Sequence, residues 1–225
     1  MSNIAIIFDI DGTLIDNNEY HKETWKLFCS KYNCDITDKE FKEFFLGNTN
    51  DRIIRYIFGE DTTQEQIKEY ATEKEALYRQ IYAPHIVPIK GIYELLREFK
   101  TNNIKCGVGS SAPPENVAFS IEKTNTKEYF SAVIDESKVT NGKPDPEIFL
   151  KAASLMQTEP QNCLVFEDSP IGIEAARNAG MKVIGITTTH SKEELSKLVD
   201  YVIDDYTQIN IAKIKSIMNN KKILT

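Results

Sequence analysis

Ile4-Ala5-Ile6-Ile7-Phe8-Asp9-Ile10-Asp11-Gly12-Thr13 joins five apolar residues to two carboxylates separated by one residue. The apolar run reads as a buried strand, and the carboxylates sit where it ends. Ionised groups there are costly unless a cation or hydrogen-bond donors compensate them. Taken alone, Asp-x-Asp-Gly can be mere turn chemistry. The rest of the chain decides between a turn and a site where a metal and a phosphate meet a nucleophile.

Five more apolar runs follow, at residues 104–108, 132–134, 163–166, 183–186 and 201–203. They are dense in Val and Ile and lack polar alternation, as in strands covered on both faces. Helical patterns occupy residues 92–100, 114–123, 146–156 and 171–178. This alternation predicts an α/β fold with a parallel sheet and helices on both faces.

One stretch breaks the pattern. Between residues 17 and 83 no convincing strand occurs, and 20–32, 39–45, 51–58 and 64–82 carry helical patterning. Apolar positions recur as Trp25, Phe28 and Cys29, then Phe41, Phe44 and Phe45, then Ile53, Ile54 and Ile57. The stretch predicts a helical bundle inserted after the first strand. Its return connection, Ala83-Pro84-His85-Ile86-Val87-Pro88, is restricted by its prolines to an extended link. The expected organisation is a core of residues 1–16 and 85–225 with a four-helix-bundle cap over 17–84. A cap on two linkers can open and close over a site. Lysines from Lys213 to Lys222 read as a solvated helix face and tail.

The chain has 225 residues, enough for one sizeable core plus a smaller insert, and 41% of them are hydrophobic. A net charge of -7 argues against nonspecific binding of nucleic acid or anionic membrane. It leaves room for an anionic substrate, because a divalent cation can override the global field. Cys29, Cys34, Cys106 and Cys163 show no zinc-ligand spacing, and no apolar stretch approaches ~20 residues. The expectation is a cytoplasmic monomer in which Cys106 and Cys163, within apolar runs, are buried free thiols.

In open parallel sheets, ligands bind beyond the carboxyl ends of the strands. The polar motifs fall there. Asp9 and Asp11 follow the first strand, Ser110 and Ser111 the second, and Glu167 and Asp168 the fourth. Lys143 precedes Pro144-Asp145-Pro146 at a helix start.

These four motifs, in this order, resemble the haloacid dehalogenase superfamily in its phosphatase and phosphomutase branch, and the beta-phosphoglucomutase-like group most. The matching pieces are Phe8-Asp9-Ile10-Asp11-Gly12-Thr13-Leu14, Gly109-Ser110-Ser111, Gly142-Lys143-Pro144-Asp145-Pro146 and Phe166-Glu167-Asp168-Ser169-Pro170-Ile171-Gly172. The resemblance implies a Rossmann-like three-layer core with an inserted helical cap. It implies Asp9 as nucleophile and Mg2+ ligand, forming an aspartyl-phosphate. Asp11 would be the general acid and base, with its backbone carbonyl on the metal. Asp168 completes the protein's metal ligands, with Glu167 near or on the shell. Ser110 and Lys143 would hold phosphate, and Ser111 would add backbone.

The substrate should be decided in the insert. His21 and Lys74 match positions that beta-phosphoglucomutases use near their active site. Asn50, in the polar break Gly47-Asn48-Thr49-Asn50, stands where that group carries an arginine for a second phosphate. A missing bidentate cation weakens a mutase assignment. The expected activity is therefore Mg2+-dependent hydrolysis of a small phosphorylated metabolite such as a sugar phosphate. The alternative is a beta-phosphoglucomutase-type mutase. An alternative of another class, a noncatalytic protein on this fold, is opposed by the intact Asp9, Asp11, Ser110, Lys143 and Asp168.

Overall fold

The computed structural model describes residues 4–45 and 48–219. They fall into two compact units, Met1–Asp16 with Val87–Thr225, and Asn17–Ile86.

The larger unit is built on six parallel strands: β1 (Ala5–Phe8), β2 (Lys105–Gly109), β3 (Phe130–Ile134), β4 (Cys163–Glu167), β5 (Lys182–Ile186) and β6 (Tyr201–Ile203). Their order across the sheet is β3-β2-β1-β4-β5-β6. The predicted six-strand parallel sheet is thus the one observed, with strand ends shifted by one or two residues. β1 is fully buried because it lies between β2 and β4, with Phe8 level with Val108 and Phe166. Ala5 and Ile7 enter a core with Ile148, Phe149 and Ile173. Phe8 turns to the opposite face, stacks on Phe166 at 5.0 Å between ring centroids, and meets Tyr206 edge-on. Two apolar faces therefore need covering, which explains the unbroken hydrophobicity of the central strands.

Among the described residues, six α-helices and four short 3-10 turns complete the unit, the α-helices being Ile92–Thr101, Pro114–Lys123, Glu147–Leu155, Pro170–Asn178, Lys192–Ser196 and Ile211–Asn219. The last buries Ile211, Ile214 and Ile217, so Lys213 and Lys215 lie on its outer face. Lys221 and Lys222 lie outside the described residues.

The smaller unit contains α1 (Asn18–Lys31), α2 (Asp38–Glu40) continuing into a π-helical turn Phe41–Phe45, α3 (Asn50–Phe58) and α4 (Gln64–Tyr82). Its core gathers Trp25, Phe28, Cys29, Phe41, Phe45, Ile53, Ile54 and Ile67, with Phe44 and Ile57 packed against it. Thr37, Thr49 and Thr63 cap the later helices by accepting backbone N–H groups with their hydroxyls.

Two local expectations need correction. Residues 39–45 do not form one regular α-helix; the wider π turn brings Phe41 and Phe45 into the core together. Nor is the return link extended throughout. Ala83 keeps a right-handed helical conformation, and His85 and Ile86 both donate backbone N–H to the Tyr82 carbonyl. Those two hydrogen bonds outweigh the bias that Pro84 places on its predecessor. Among the described residues no helix is long and apolar enough to cross a membrane.

Candidate active site

Asp9 leaves β1 with its backbone N–H donated to the Phe166 carbonyl at 3.1 Å, which draws the ends of β1 and β4 together. Gly12 then turns the loop with φ +72°, a conformation that costs glycine least. It also makes room, because a Cβ there would lie 2.2 Å from Asp168 Oδ2. The Thr13 carbonyl is anchored by the buried Tyr206 hydroxyl at 2.8 Å.

Lys143 bridges the two strand ends. Its Nζ donates to Asp9 Oδ1 at 2.8 Å and to Glu167 Oε1 at 2.7 Å, and lies 4.9 Å from the Phe149 ring centre. All three ion-pair partners are nearly sealed from solvent, with side-chain exposures of 7% for Lys143, 9% for Asp9 and 1% for Glu167. Burial opposes the charge on Lys143, but the two carboxylates outweigh it and hold its pKa above the ordinary value. A permanent ammonium therefore stands beside Asp9.

The carboxylates outnumber it. Burial pushes Asp9 up to about 7, with Glu167 and Asp11 adding repulsion and Lys143 opposing. Burial, then Glu167 and Asp9, push Asp168 well above the usual carboxylate range. The excess negative charge at two buried carboxylates is the condition a bound divalent cation relieves. The Asp9 and Asp168 carboxylates could hold such a cation, and hard oxygens of this kind suit Mg2+. Among the described residues no three His, Cys, Asp or Glu side chains form a ready metal cage.

Glu167 is held from two sides. Its Oε1 is held by Lys143, and its Oε2 accepts the Ser169 N–H at 2.8 Å and hydroxyl at 2.9 Å. Both oxygens carry donors, an arrangement that lets Glu167 orient Lys143. Ser110 is buried beyond β2, its hydroxyl accepting the Ala112 N–H at 3.2 Å, whereas Ser111 is exposed.

In the helical unit the structure gathers His21, Asn50 and Lys74 around Glu75. Lys74 Nζ donates to Glu75 Oε1 at 2.8 Å, and Asn50 Nδ2 donates to the same oxygen at 2.8 Å. Lys74 Nζ also lies 3.2 Å from His21 Nδ1 and 4.8 Å from the Trp25 ring centre. His21 stacks on Tyr78 at 4.0 Å. Burial, then the Lys74 charge, push His21 down to about 3, so the ring is neutral. Burial works to raise Glu75, but Lys74, His21 and the Asn50 amide outweigh it and bring it down to about 2. Lys74 is 2% exposed and is no surface charge. Thr49 is the cap of α3, and Gly47 of the same polar break lies outside the described residues. Asn17 stands at the cap position before α1.

Sequence reasoning passed over Glu75 and the loop after β5. Thr188 donates its hydroxyl to the Gly12 carbonyl, Thr189 donates to Asp168 Oδ2, and His190 Nδ1 lies 3.2 Å from the Asp168 carbonyl. The strand-end rule that selects Ser110 and Asp168 points equally to Thr187-Thr188-Thr189-His190, which follow the fifth apolar run.

A family model described as haloacid dehalogenase-like hydrolase matches residues 6–186. The validoxylamine A 7'-phosphate phosphatase of Streptomyces hygroscopicus subsp. limoneus is 28% identical over 90% of this chain and 94% of its own. The beta-phosphoglucomutase of Bacillus subtilis (strain 168) is 31% identical over 81% of this chain and 82% of its own. Among solved structures, a family IA, variant 3 hydrolase of the same superfamily from Entamoeba histolytica HM-1:IMSS superposes with a TM-score of 0.91. It is 31% identical and covers 96% of this chain and all of its own.

Proposed function

The chain belongs to the haloacid dehalogenase-like hydrolases, and from that premise we propose that it is a Mg2+-dependent phosphatase of a small phosphorylated metabolite, such as a sugar phosphate. The observation that carries the reading is Lys143, locked between Asp9 and Glu167 beside more carboxylates than it can neutralise. A phosphate dianion approaching Asp9 needs that ammonium, and Mg2+ when bound neutralises further charge on the nucleophile and the phosphoryl oxygens.

Asp9 attacks phosphorus with a carboxylate oxygen, and the bond to the leaving alcohol oxygen breaks, leaving an aspartyl-phosphate. Asp11 gives its proton to that departing oxygen. It then takes a proton from the water that attacks the phosphoryl group, returning Asp9 and releasing inorganic phosphate. Ser110 and the backbone N–H groups around it hold phosphoryl oxygens, with Ser111 contributing main chain rather than hydroxyl. Asp9, the Asp11 carbonyl and Asp168 would hold Mg2+, and Glu167 keeps Lys143 aimed.

His21, Asn50 and Lys74 are assigned to recognition of the rest of the substrate. The relatives include both a phosphatase and a mutase. What favours hydrolysis is position 50, where a neutral amide is tied to the buried Glu75 carboxylate. A mutase must hold a bisphosphate, and an acidic side chain behind Asn50 disfavours a second phosphate there. Incubation with beta-glucose 1-phosphate, Mg2+ and catalytic glucose 1,6-bisphosphate separates the two. Phosphate release, here or across a panel of phosphorylated metabolites, is expected. Glucose 6-phosphate formed without free phosphate would establish the mutase instead.

A further inference from the structure

We infer that Thr189 is a positioning residue that sets the affinity of the site for its metal by fixing the Asp168 carboxylate. The inference rests on the assignment of Asp168 as a metal ligand above.

Asp168 is 5% exposed and follows β4 directly. Its carboxylate is held from two sides. Thr189 donates its hydroxyl to Oδ2, and Thr13 donates its hydroxyl to Oδ1 at 3.3 Å. Each carboxylate oxygen has a second lone pair, so both bonds can persist while one oxygen faces a cation. The two donors come from separate strand ends, Thr13 from the loop after β1 and Thr189 from the loop after β5.

The β5 loop is itself fixed. The Thr187 N–H donates to the Ile203 carbonyl at 3.1 Å, and the Thr187 hydroxyl donates to Asp204 Oδ1 at 2.8 Å. Thr188 then donates its hydroxyl to the Gly12 carbonyl. Thr189 thus reaches Asp168 from a loop pinned to β6 on one side and to the Gly12 turn on the other. A Cβ on Gly12 would lie 3.0 Å from Thr189 Oγ1. The glycine that admits Asp168 therefore also admits the threonine that holds it.

A carboxylate that is repelled by its neighbours rotates away from them unless something holds it. Glu167 and Asp9 both repel the Asp168 carboxylate. The Thr189 hydroxyl holds it in one orientation, so that less ordering would remain to be done when an ion arrives.

Thr189→Val keeps the side-chain shape and removes the donor, and Thr189→Ser keeps the donor. Mg2+ affinity of the full chain is read by titration calorimetry without substrate, with Tm in EDTA as the check on folding. Asp168→Asn serves as the reference for loss of the ligand. Thr189→Val is expected to weaken Mg2+ binding by at least ~10-fold, the usual scale for a group orienting a metal ligand. Thr189→Ser is expected to restore the wild-type value, with kcat at saturating Mg2+ changed less than the Mg2+ dependence. Wild-type Mg2+ affinity in Thr189→Val beside a weakened Asp168→Asn would overturn the inference and leave the metal assignment standing. Wild-type affinity in Asp168→Asn would overturn both. A loss confined to Tm in EDTA, with Mg2+ affinity unchanged, would make Thr189 a fold staple and also overturn it.

Discussion

Glu167 constrains its neighbours more than any other single residue of the candidate site. It accepts Lys143 on one oxygen and Ser169 on the other, and a Cβ on Gly172 would sit 1.6 Å from its Oε1. Gly172 is therefore glycine because the carboxylate occupies the space a side chain would take. Its residue type is legible in the sequence; its reason is a through-space contact that depends on how the helix from Pro170 folds back over β4. The same holds for Glu167, whose place beside Asp168 is legible while its partners Lys143 and Ser169 are not. Gly172→Ala must displace the Glu167 carboxylate and so loosen Lys143. A misplacement of about 1 Å costs on the order of 100-fold in rate, and the buried clash should lower stability by ~1–3 kcal/mol. Steady-state phosphatase assay and thermal melting test this together. Wild-type kcat and Tm would show that Glu167 has room to move and that Lys143 does not depend on it.

At the level of the helix, α1 and α4 share a polar cluster inside an otherwise apolar bundle. The apolar spacing that reveals these helices in the sequence gives no notice of it. Lys74 sits in Glu73-Lys74-Glu75, which reads as surface charge until α1 places His21 and Trp25 around it, with Tyr78 coming from its own helix. Removing Lys74 with Lys74→Met leaves Glu75 as a buried carboxylate without its cation and is expected to cost about 3–5 kcal/mol. The cluster also sets a pH dependence. The folded-state pKa of His21 is depressed from 6.5 to about 3, so its contribution is complete above pH 6.5 and is lost as pH falls toward 3. Glu75, depressed from 4.5 to about 2, contributes fully above pH 4.5 and loses that contribution as pH falls through 2. Against the opposite trend set by the raised carboxylates Asp9 and Asp168, His21 should therefore pull the urea midpoint of the full chain down from pH 6.5 to pH 4. His21→Gln, which cannot charge, should flatten that drop; an unchanged slope would mean that His21 already titrates normally.

Across the whole molecule, the sequence announces the sheet because strands covered on both faces cannot hide their apolar runs, and it announces the chemistry because polar residues cluster at those runs' carboxyl ends. What it conceals is set by contacts between distant segments: Glu167 turned to Lys143, Thr189 turned to Asp168, Glu75 behind Asn50. The substrate remains the least legible property, since it depends on side chains spread over several helices. The central claim concerns Asp9. In Asp11→Asn the residue proposed to activate water is gone, so an aspartyl-phosphate once formed should persist. Acetyl phosphate suits the test because its leaving group is a carboxylate that departs without a general acid. After incubation of Asp11→Asn with acetyl phosphate and Mg2+, acid quench and peptide mass mapping, one phosphoryl group is predicted on the peptide carrying Asp9. It should be absent when Asp9→Asn is added. No phosphoryl group on that peptide, or one that survives the Asp9→Asn change, would contradict the account.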